Sequence, residues 1–170
     1  RILILGAIGM AGHALALYFT ERGYSVTAYS VTPFPYCDNI IGNAFETDKF
    51  KDMLLRGEYD VIINCIGILN QAADENRSAA VYLNSYLPHL IADTIRDEKT
   101  RLIHMSTDCV FAGNGGPYDE NSPRDGRSFY DRTKALGEVE DEKNLTLRNS
   151  IVGTDMNEKG IGLFNWFMRQ

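Results

Sequence analysis

Ile2-Leu3-Ile4-Leu5-Gly6-Ala7-Ile8-Gly9-Met10-Ala11-Gly12 opens the chain with four apolar residues, then glycines at a spacing of three. A continuous apolar run of strand length suits a strand buried on both faces, as in a parallel sheet. From Met10 to Arg22 the apolar residues take helical spacing. Ala14, Leu15, Leu17, Tyr18 and Phe19 cover a broad face there, and Gly23 is a stop. Strand, glycine turn and helix in that order open a βαβ unit. The first glycine then permits the tight turn and the second lets backbone amides approach a pyrophosphate. The third lets helix and strand pack closely, while the helix N-terminus favours negative charge. Glycines that only pack a helix on a sheet are the plain alternative; their place between strand and helix favours a dinucleotide.

The alternation continues downstream. Tyr24–Ser30 reads as a second strand, 31–38 with Pro33 and Pro35 as a loop, Ile40–Ile41 as a short strand and Thr47–Arg56 as a helix. Val61–Cys65 is a buried strand. A long helical stretch spans Asp74 to Asp97, and Pro88 within it removes a backbone donor and predicts a kink or a shift in packing. Leu102–Ser106 is the next strand. The polar segment from Gly113 to Ser128 is longer than most connections and reads as a functional loop. Phe129–Glu142 reads as a helix, Leu145–Asn149 as a strand and Ile161–Gln170 as the opening of a helix, with Phe164, Trp166 and Phe167 as candidate core. Strands alternating with helices imply an α/β fold, a Rossmann-type doubly wound parallel sheet.

Composition narrows the partners. The 170 residues are 44% apolar and 24% charged, so a folded state is expected rather than disorder. Seventeen Lys and Arg against 23 Asp and Glu leave a net charge of −6, which argues against nucleic acid and against an anionic membrane face. A small anionic ligand stays open. No stretch approaches the roughly 18 apolar residues of a membrane helix. The opening run imitates a signal peptide, but recurring glycines and His13 interrupt it. Cys37, Cys65 and Cys109 lie far apart, which fits a reducing, cytoplasmic setting. His13, His89 and His104 share no ligand spacing, so no metal is expected. His104 is read as a satisfied core residue, and Glu138, Glu140, Asp141 and Glu142 as a solvated helix face.

Three further features carry chemistry. The second strand closes on Tyr29-Ser30-Val31-Thr32, without the acid that holds a ribose 2′-hydroxyl and without an Arg for a 2′-phosphate. Hydroxyls at Ser30 and Thr32 could donate to a phosphate, so NADP(H) is favoured over NAD(H). Tyr130 and Lys134 stand four apart, on one helical face. A phenol is a weak acid–base at neutral pH, and a nearby ammonium would favour its phenolate. The same Lys could hold the cofactor ribose. Upstream, a strand ends in Met105-Ser106-Thr107-Asp108-Cys109-Val110-Phe111, which puts hydroxyls at the crevice where parallel sheets bind ligands.

Together and in this order the motifs resemble those of the extended short-chain dehydrogenase/reductases, and within them the dTDP-4-dehydrorhamnose reductase group. Ile4 to Met10 is similar to that group's opening, and Ser106 to Phe111 to its STDYVF segment. Pro117-Tyr118-Asp119-Glu120, Tyr130 to Glu138 (YDRTKALGE) and Arg148-Asn149-Ser150 follow in matching order. The resemblance implies reduction by NADPH of a 4-keto group on a nucleotide-linked deoxysugar, for surface polysaccharide precursors. It makes Thr107 the active-site hydroxyl, Tyr130 the acid and Lys134 its partner. Gly6, Ile8, Gly9, Met10, Gly12, Ser30 and Asn64 to Gly67 (with Cys65 and Ile66) are then cofactor contacts. Ile68, Thr107, Asp108 and Cys109 are substrate contacts. Asn84 matches a family Asn that shapes the site, with a solvated or kink-capping Asn as the alternative. Asn149 to Gly153 resembles the stretch passing the nicotinamide end.

Two departures matter. Ile8 replaces a usual Thr, and Cys109 stands where the reductases carry Tyr, so it is read as lining the pocket. The resemblance implies an NAD(P)-binding Rossmann domain over 1–153, with 154–170 starting a C-terminal substrate-binding domain that is mostly absent. A nucleotide-sugar substrate is the implied partner, and a homodimer is left open. An epimerase or dehydratase of the same family and a non-catalytic regulatory subunit remain as alternatives.

Overall fold

A computed structural model describes residues 1–153, 163–168 and 170. Ile2–Leu5 forms β1, with all four residues buried. It pairs in parallel with β2 (Val26–Ser30) on one side and β4 (Val61–Asn64) on the other, Leu3 lying opposite Thr27 and Ile62. With β3 (Asp38–Ile41), β5 (Arg101–Met105) and β6 (Leu145–Leu147), the sheet runs β3-β2-β1-β4-β5-β6, every pair parallel. The winding reverses at β1, so a crevice opens between the carboxyl ends of β1 and β4.

Alternation of side chains distributes the core between two faces. Ile2, Ile4, Val26, Ala28 and Ile63 pack with Ala16 of α1 (Met10–Glu21). Leu3, Leu5, Ile62 and Leu102 pack on the opposite face with Phe50 and Leu54 of α2 (Thr47–Arg56) and with Leu87 and Ile91 of α5 (Leu87–Thr94). Each such aliphatic side chain removed from water contributes roughly 1.5–3 kcal/mol. Helices on both faces make the sheet doubly wound.

The stretch expected as one helix over 74–97 is segmented. α3 (Asn70–Glu75) ends at Asn76, whose side-chain oxygen accepts from the Ala79 amide at 3.2 Å and starts α4 (Arg77–Ala80). Residues Val81–Tyr86 then widen into a π-helical turn before α5. The cause is Pro88, which has no N–H to give the Asn84 carbonyl. That carbonyl meets Gly137 so closely that a Cβ built there would lie 1.9 Å from the oxygen.

Gly137 also ends α6 (Phe129–Leu136), well short of the expected Glu142. The His89 ring donates to the Leu136 carbonyl at 2.9 Å. α6 begins on a capping box. Ser128 Oγ accepts from the Asp131 amide, and the Asp131 carboxylate accepts from the Ser128 amide at 2.8 Å. The Lys143 ammonium satisfies carbonyls beyond α5, reaching Arg96 at 3.2 Å and Glu98 at 2.7 Å. α7 (Leu163–Met168) is helical as expected, and Phe164 and Phe167 are exposed; the side chain of Trp166 lies outside the described residues.

Replacing Gly137 by Ala therefore forces α6 off the π-turn. Overpacking of this kind costs on the order of 1–3 kcal/mol, so G137A should lower the unfolding free energy measured in urea by that amount, whereas Leu136→Ala at its exposed neighbour should stay within about 0.5 kcal/mol.

Candidate active site

The site forms where the loops after β1, β4 and β5 converge. Gly6 takes φ +80°, a conformation that favours glycine, and its amide and that of Ala7 both donate to the Tyr29 carbonyl, at 2.9 and 3.3 Å. This ties the turn to β2. A Cβ on Gly12 would lie 2.2 Å from the Gly6 carbonyl oxygen, so only glycine lets α1 start this close to β1. The first turn of α1 has neither a side-chain cap nor an acidic residue, which leaves its amides for an outside acceptor.

Two clefts adjoin across this turn, both touching Gly9, Cys65, Ile66 and Gly67. One, of about 350 Å³, is walled by Met10, Thr107, Asp108, Cys109, Tyr130 and Lys134, with Asn149 to Ile151 along its rim. The other, of about 280 Å³, is walled by Gly6, Ile8, Tyr29, Ser30 and Phe45, and among the described residues no charged side chain lines it. Ser30 is already engaged: its hydroxyl donates to the Thr32 carbonyl at 2.7 Å and accepts from Asn39 at 3.1 Å.

Three residues expected at the site are not in either wall. Asn64 is fully buried, its Oδ1 accepting from the Ile66 amide at 3.1 Å and its Nδ2 facing His104 Nδ1 at 3.2 Å. Gly12 serves the packing of α1. Ile68 is clamped by Asn84, which accepts from its amide at 2.8 Å and donates to its carbonyl at 2.9 Å. Asn84 also donates to Thr133 Oγ1 at 3.1 Å and so joins the loop after β4 to α6; it is neither solvated nor a helix cap. His104 is buried as expected but only half satisfied, since its Nε2 has no partner among the described residues. Burial, then the Lys134 charge, holds its pKa well below the usual value.

Thr107 Oγ1 accepts from the Cys109 amide at 3.2 Å and donates to Asp108 at 3.3 Å, capping a short 3-10 turn over Asp108–Val110. Tyr130 and Lys134, one helical turn apart, are both buried. The electrostatics differ from the expected lowering of the phenol. Burial pushes the Tyr130 pKa up, the Thr107 hydroxyl draws it partly back, and Cys109, Asp131 and Asp108 raise it further. The Lys134 ammonium is instead spent on the Met105 carbonyl, donating at 2.7 Å. Burial lowers its pKa to about 8, against Cys65 and Glu138, which raise it. Cys65 itself is pushed up to about 12 by burial. Cys109 is exposed in the cleft wall, its Sγ 3.7 Å from Asp108. No cluster of metal-ligating side chains occurs among the described residues.

Glu138 is not on a solvated face. Its side chain is 1% exposed and accepts from Ser106, Arg148 and Arg124. Glu138 lies just past the end of α6, so no helical spacing signals this role; it takes the convergence of Ser106, Arg124 and Arg148 from separate stretches of chain. A further cavity, about 650 Å³, is walled by Phe111, Tyr118, Arg124, Glu138 and Arg148. None of the glycine turn, Tyr130 or Lys134 reaches it. Its buried charges are already paired, and the candidate residues Thr107, Tyr130 and Lys134 lie instead in one of the two adjoining clefts.

Known proteins share this arrangement of elements. A hypothetical dTDP-4-dehydrorhamnose reductase from Sulfolobus tokodaii superposes with a TM-score of 0.78 at 23% identity, over 87% of this chain and 55% of that one; it shows the fold alone. A probable dTDP-4,6-dihydroxy-2-methyloxan-3-one 4-ketoreductase of Streptomyces antibioticus is 32% identical over 141 residues, 81% of this chain and 45% of the relative. The dTDP-4-dehydrorhamnose reductase of Streptomyces griseus is 30% identical over 140 residues, 81% and 43%. The chain thus spans about half the length of the curated relatives it matches. The sequence profile described as "RmlD substrate binding domain" matches residues 1–155, which contain the glycine turn, the Thr107 strand end and the Tyr130–Lys134 helix, and the chain belongs to that family.

Proposed function

We propose that this chain is the nicotinamide-binding part of an oxidoreductase that reduces a 4-keto group on a nucleotide-linked deoxysugar. The observation that carries the reading is one cleft walled by Thr107, Tyr130 and Lys134 together with Gly9 of the glycine turn. The residues fit a dinucleotide: a turn closed to any Cβ at Gly12, first-turn amides without a cap, and clefts on both sides of them. The amides of Met10 and Ala11 would hold its pyrophosphate, with Gly6 and Gly9 giving it room to approach, and Lys134 would hold its ribose. When bound, the nicotinamide supplies the hydride.

The protein's own residues handle the proton and the orientation. The raised pKa of Tyr130 keeps its phenol protonated at neutral pH, which suits an acid that gives its proton to a carbonyl oxygen as charge develops there. Thr107 orients that oxygen by a hydrogen bond. Asp108 and Cys109, in the same wall, face the sugar. NADP(H) is favoured over NAD(H) because, among the described residues, no acidic side chain lines the second cleft to repel a 2′-phosphate. Residues 154–170 begin the substrate-binding part, a reading supported by the exposed Phe164, Phe167 and Met168 of α7.

Full-length protein should oxidise NADPH steadily with a 4-keto-sugar nucleotide from a panel; turnover without net NADPH oxidation would point to an epimerase or dehydratase instead. NADPH should bind more tightly than NADH in a fluorescence titration, and equal or reversed affinities would remove the preference. Tyr130→Phe should cut turnover by about 10²–10⁴ while NADPH affinity stays within about threefold. Surviving turnover would remove Tyr130 as the acid.

The pKa of Lys134 gives a pH dependence. Charged below about 8, it holds the ribose there, so NADPH affinity should fall as pH rises through that value and lose this step in Lys134→Met. Stability runs the other way. The folded pKa, about 8, lies below the ordinary 10.5, so burying the charge destabilises the fold most below 8, and the loss is relieved between 8 and 10.5. Relative to Lys134→Met, the parent should therefore gain stability in urea unfolding across that window.

A further inference from the structure

The carboxylate of Glu138 gathers four donors from three separate stretches of chain. Ser106 Oγ donates at 2.8 Å, Arg148 donates through two nitrogens at 2.9 Å each, and Arg124 donates at 3.0 Å. Burial alone would raise this carboxyl, but the bonds from Arg148, Ser106 and Arg124 outweigh it and hold the group below the usual carboxylate range. It is therefore a fixed negative charge at neutral pH. Arg124 is shared with exposed Glu140, while Arg148 donates onward to the Glu120 carbonyl at 3.1 Å and lies over the Phe111 ring.

The geometry connects this carboxylate to both reactive ends of the cleft. Ser106 immediately precedes Thr107, and its amide donates to the Leu147 carbonyl at 2.8 Å. Arg148 immediately precedes Asn149, whose carbonyl accepts from the Asp108 amide at 3.3 Å. The strand ends of β5 and β6, which carry one wall of the cleft, are thus pinned through one side chain. The Lys134 ammonium is brought near this carboxylate by its 2.7 Å bond to the carbonyl of Met105, the residue before Ser106. That ammonium faces Cys65 from the loop after β4 and His104 from β5, neither of which carries a negative charge at neutral pH, and Tyr130 from its own helix.

We infer that Glu138 is a positioning residue: through Ser106 it holds Thr107 in its orientation toward the cleft, and by its charge it keeps the buried Lys134 ammonium protonated. Its consequence for turnover rests on the function proposed above; its effects on Thr107 and Lys134 do not, and are measured without cofactor or substrate. A bond of this kind places a reacting group rather than touching the reactants, so its loss shows as misplacement.

The test uses full-length protein with ¹³Cε-labelled lysine, the Lys134 signal assigned by its loss in Lys134→Met. In Glu138→Gln the Lys134 titration midpoint should fall by about half a unit or more. In Ser106→Ala it should stay in place, while three-bond couplings show Thr107 passing from one χ1 rotamer to an average of several. Glu138→Asp, with the charge kept and the reach shortened, should retain the Lys134 midpoint and release Thr107. A folded Glu138→Gln with an unmoved Lys134, or a Ser106→Ala with Thr107 still in one rotamer, overturns the proposal. Should Glu138→Gln not fold, a displaced Lys134 midpoint in Glu138→Asp overturns it equally. In an active parent, Ser106→Ala lowers kcat roughly tenfold with KM little changed. A parent without turnover bears on the proposed function, and the rotamer and titration results still decide this one.

Discussion

The Gly6 carbonyl oxygen sits where a side chain on Gly12 would have to go, and much of the architecture follows from that closeness. Because α1 can begin directly against the end of β1, its unpaired amides open into the crevice left by the reversal of strand order rather than into solvent. The bonds from Gly6 and Ala7 to Tyr29 then fix the turn relative to β2. A larger residue at position 12 would push the helix away and separate the amides from the clefts they join.

A second close approach brings α6, with Tyr130 and Lys134, to this crevice. Pro88 withholds one hydrogen bond, the preceding turn widens, and the Asn84 carbonyl is left against the glycine that ends α6. The Asn84 side chain clamps the loop after β4 and reaches Thr133 on α6. Backbone and side chain of one residue thus set the distance between the loop carrying Cys65 to Gly67 and the helix carrying Tyr130 and Lys134. What looks like a defect in a helix is a spacer between two walls of the cleft.

Burial governs the chemistry of those walls. It raises the phenol of Tyr130 and lowers the ammonium of Lys134, and these opposite displacements have the same origin: both charged forms lose water. Lys134 meets the loss partly through the Met105 carbonyl and partly through the Glu138 charge. Glu138 in turn is affordable inside the protein because two arginines and a serine satisfy it.

Local pattern was enough for much of this. The apolar run Ile2–Leu5, the glycine spacing, the bounds of α2 and the alternation of strands and helices all follow from short-range periodicity and steric rules, and they determined a doubly wound parallel sheet with its glycine turn at the crevice. The pairing of Tyr130 with Lys134 on one helix face was legible for the same reason. Other features were not, because they depend on partners distant in sequence. The acidic string after α6 read as solvated until Ser106, Arg124 and Arg148 converged on Glu138. Asn64 and Ile68 looked like cleft residues but are engaged by His104 and Asn84. The irregularity before Pro88 was legible, but the approach of Gly137 to the Asn84 carbonyl was not, and the pKa of Tyr130 needed the burial that only packing creates. Sequence alone determined which elements form and in what order, since these are set within a few residues; tertiary structure decided which polar groups are buried and what pairs with them, since desolvation exists only once separate stretches of chain exclude water together.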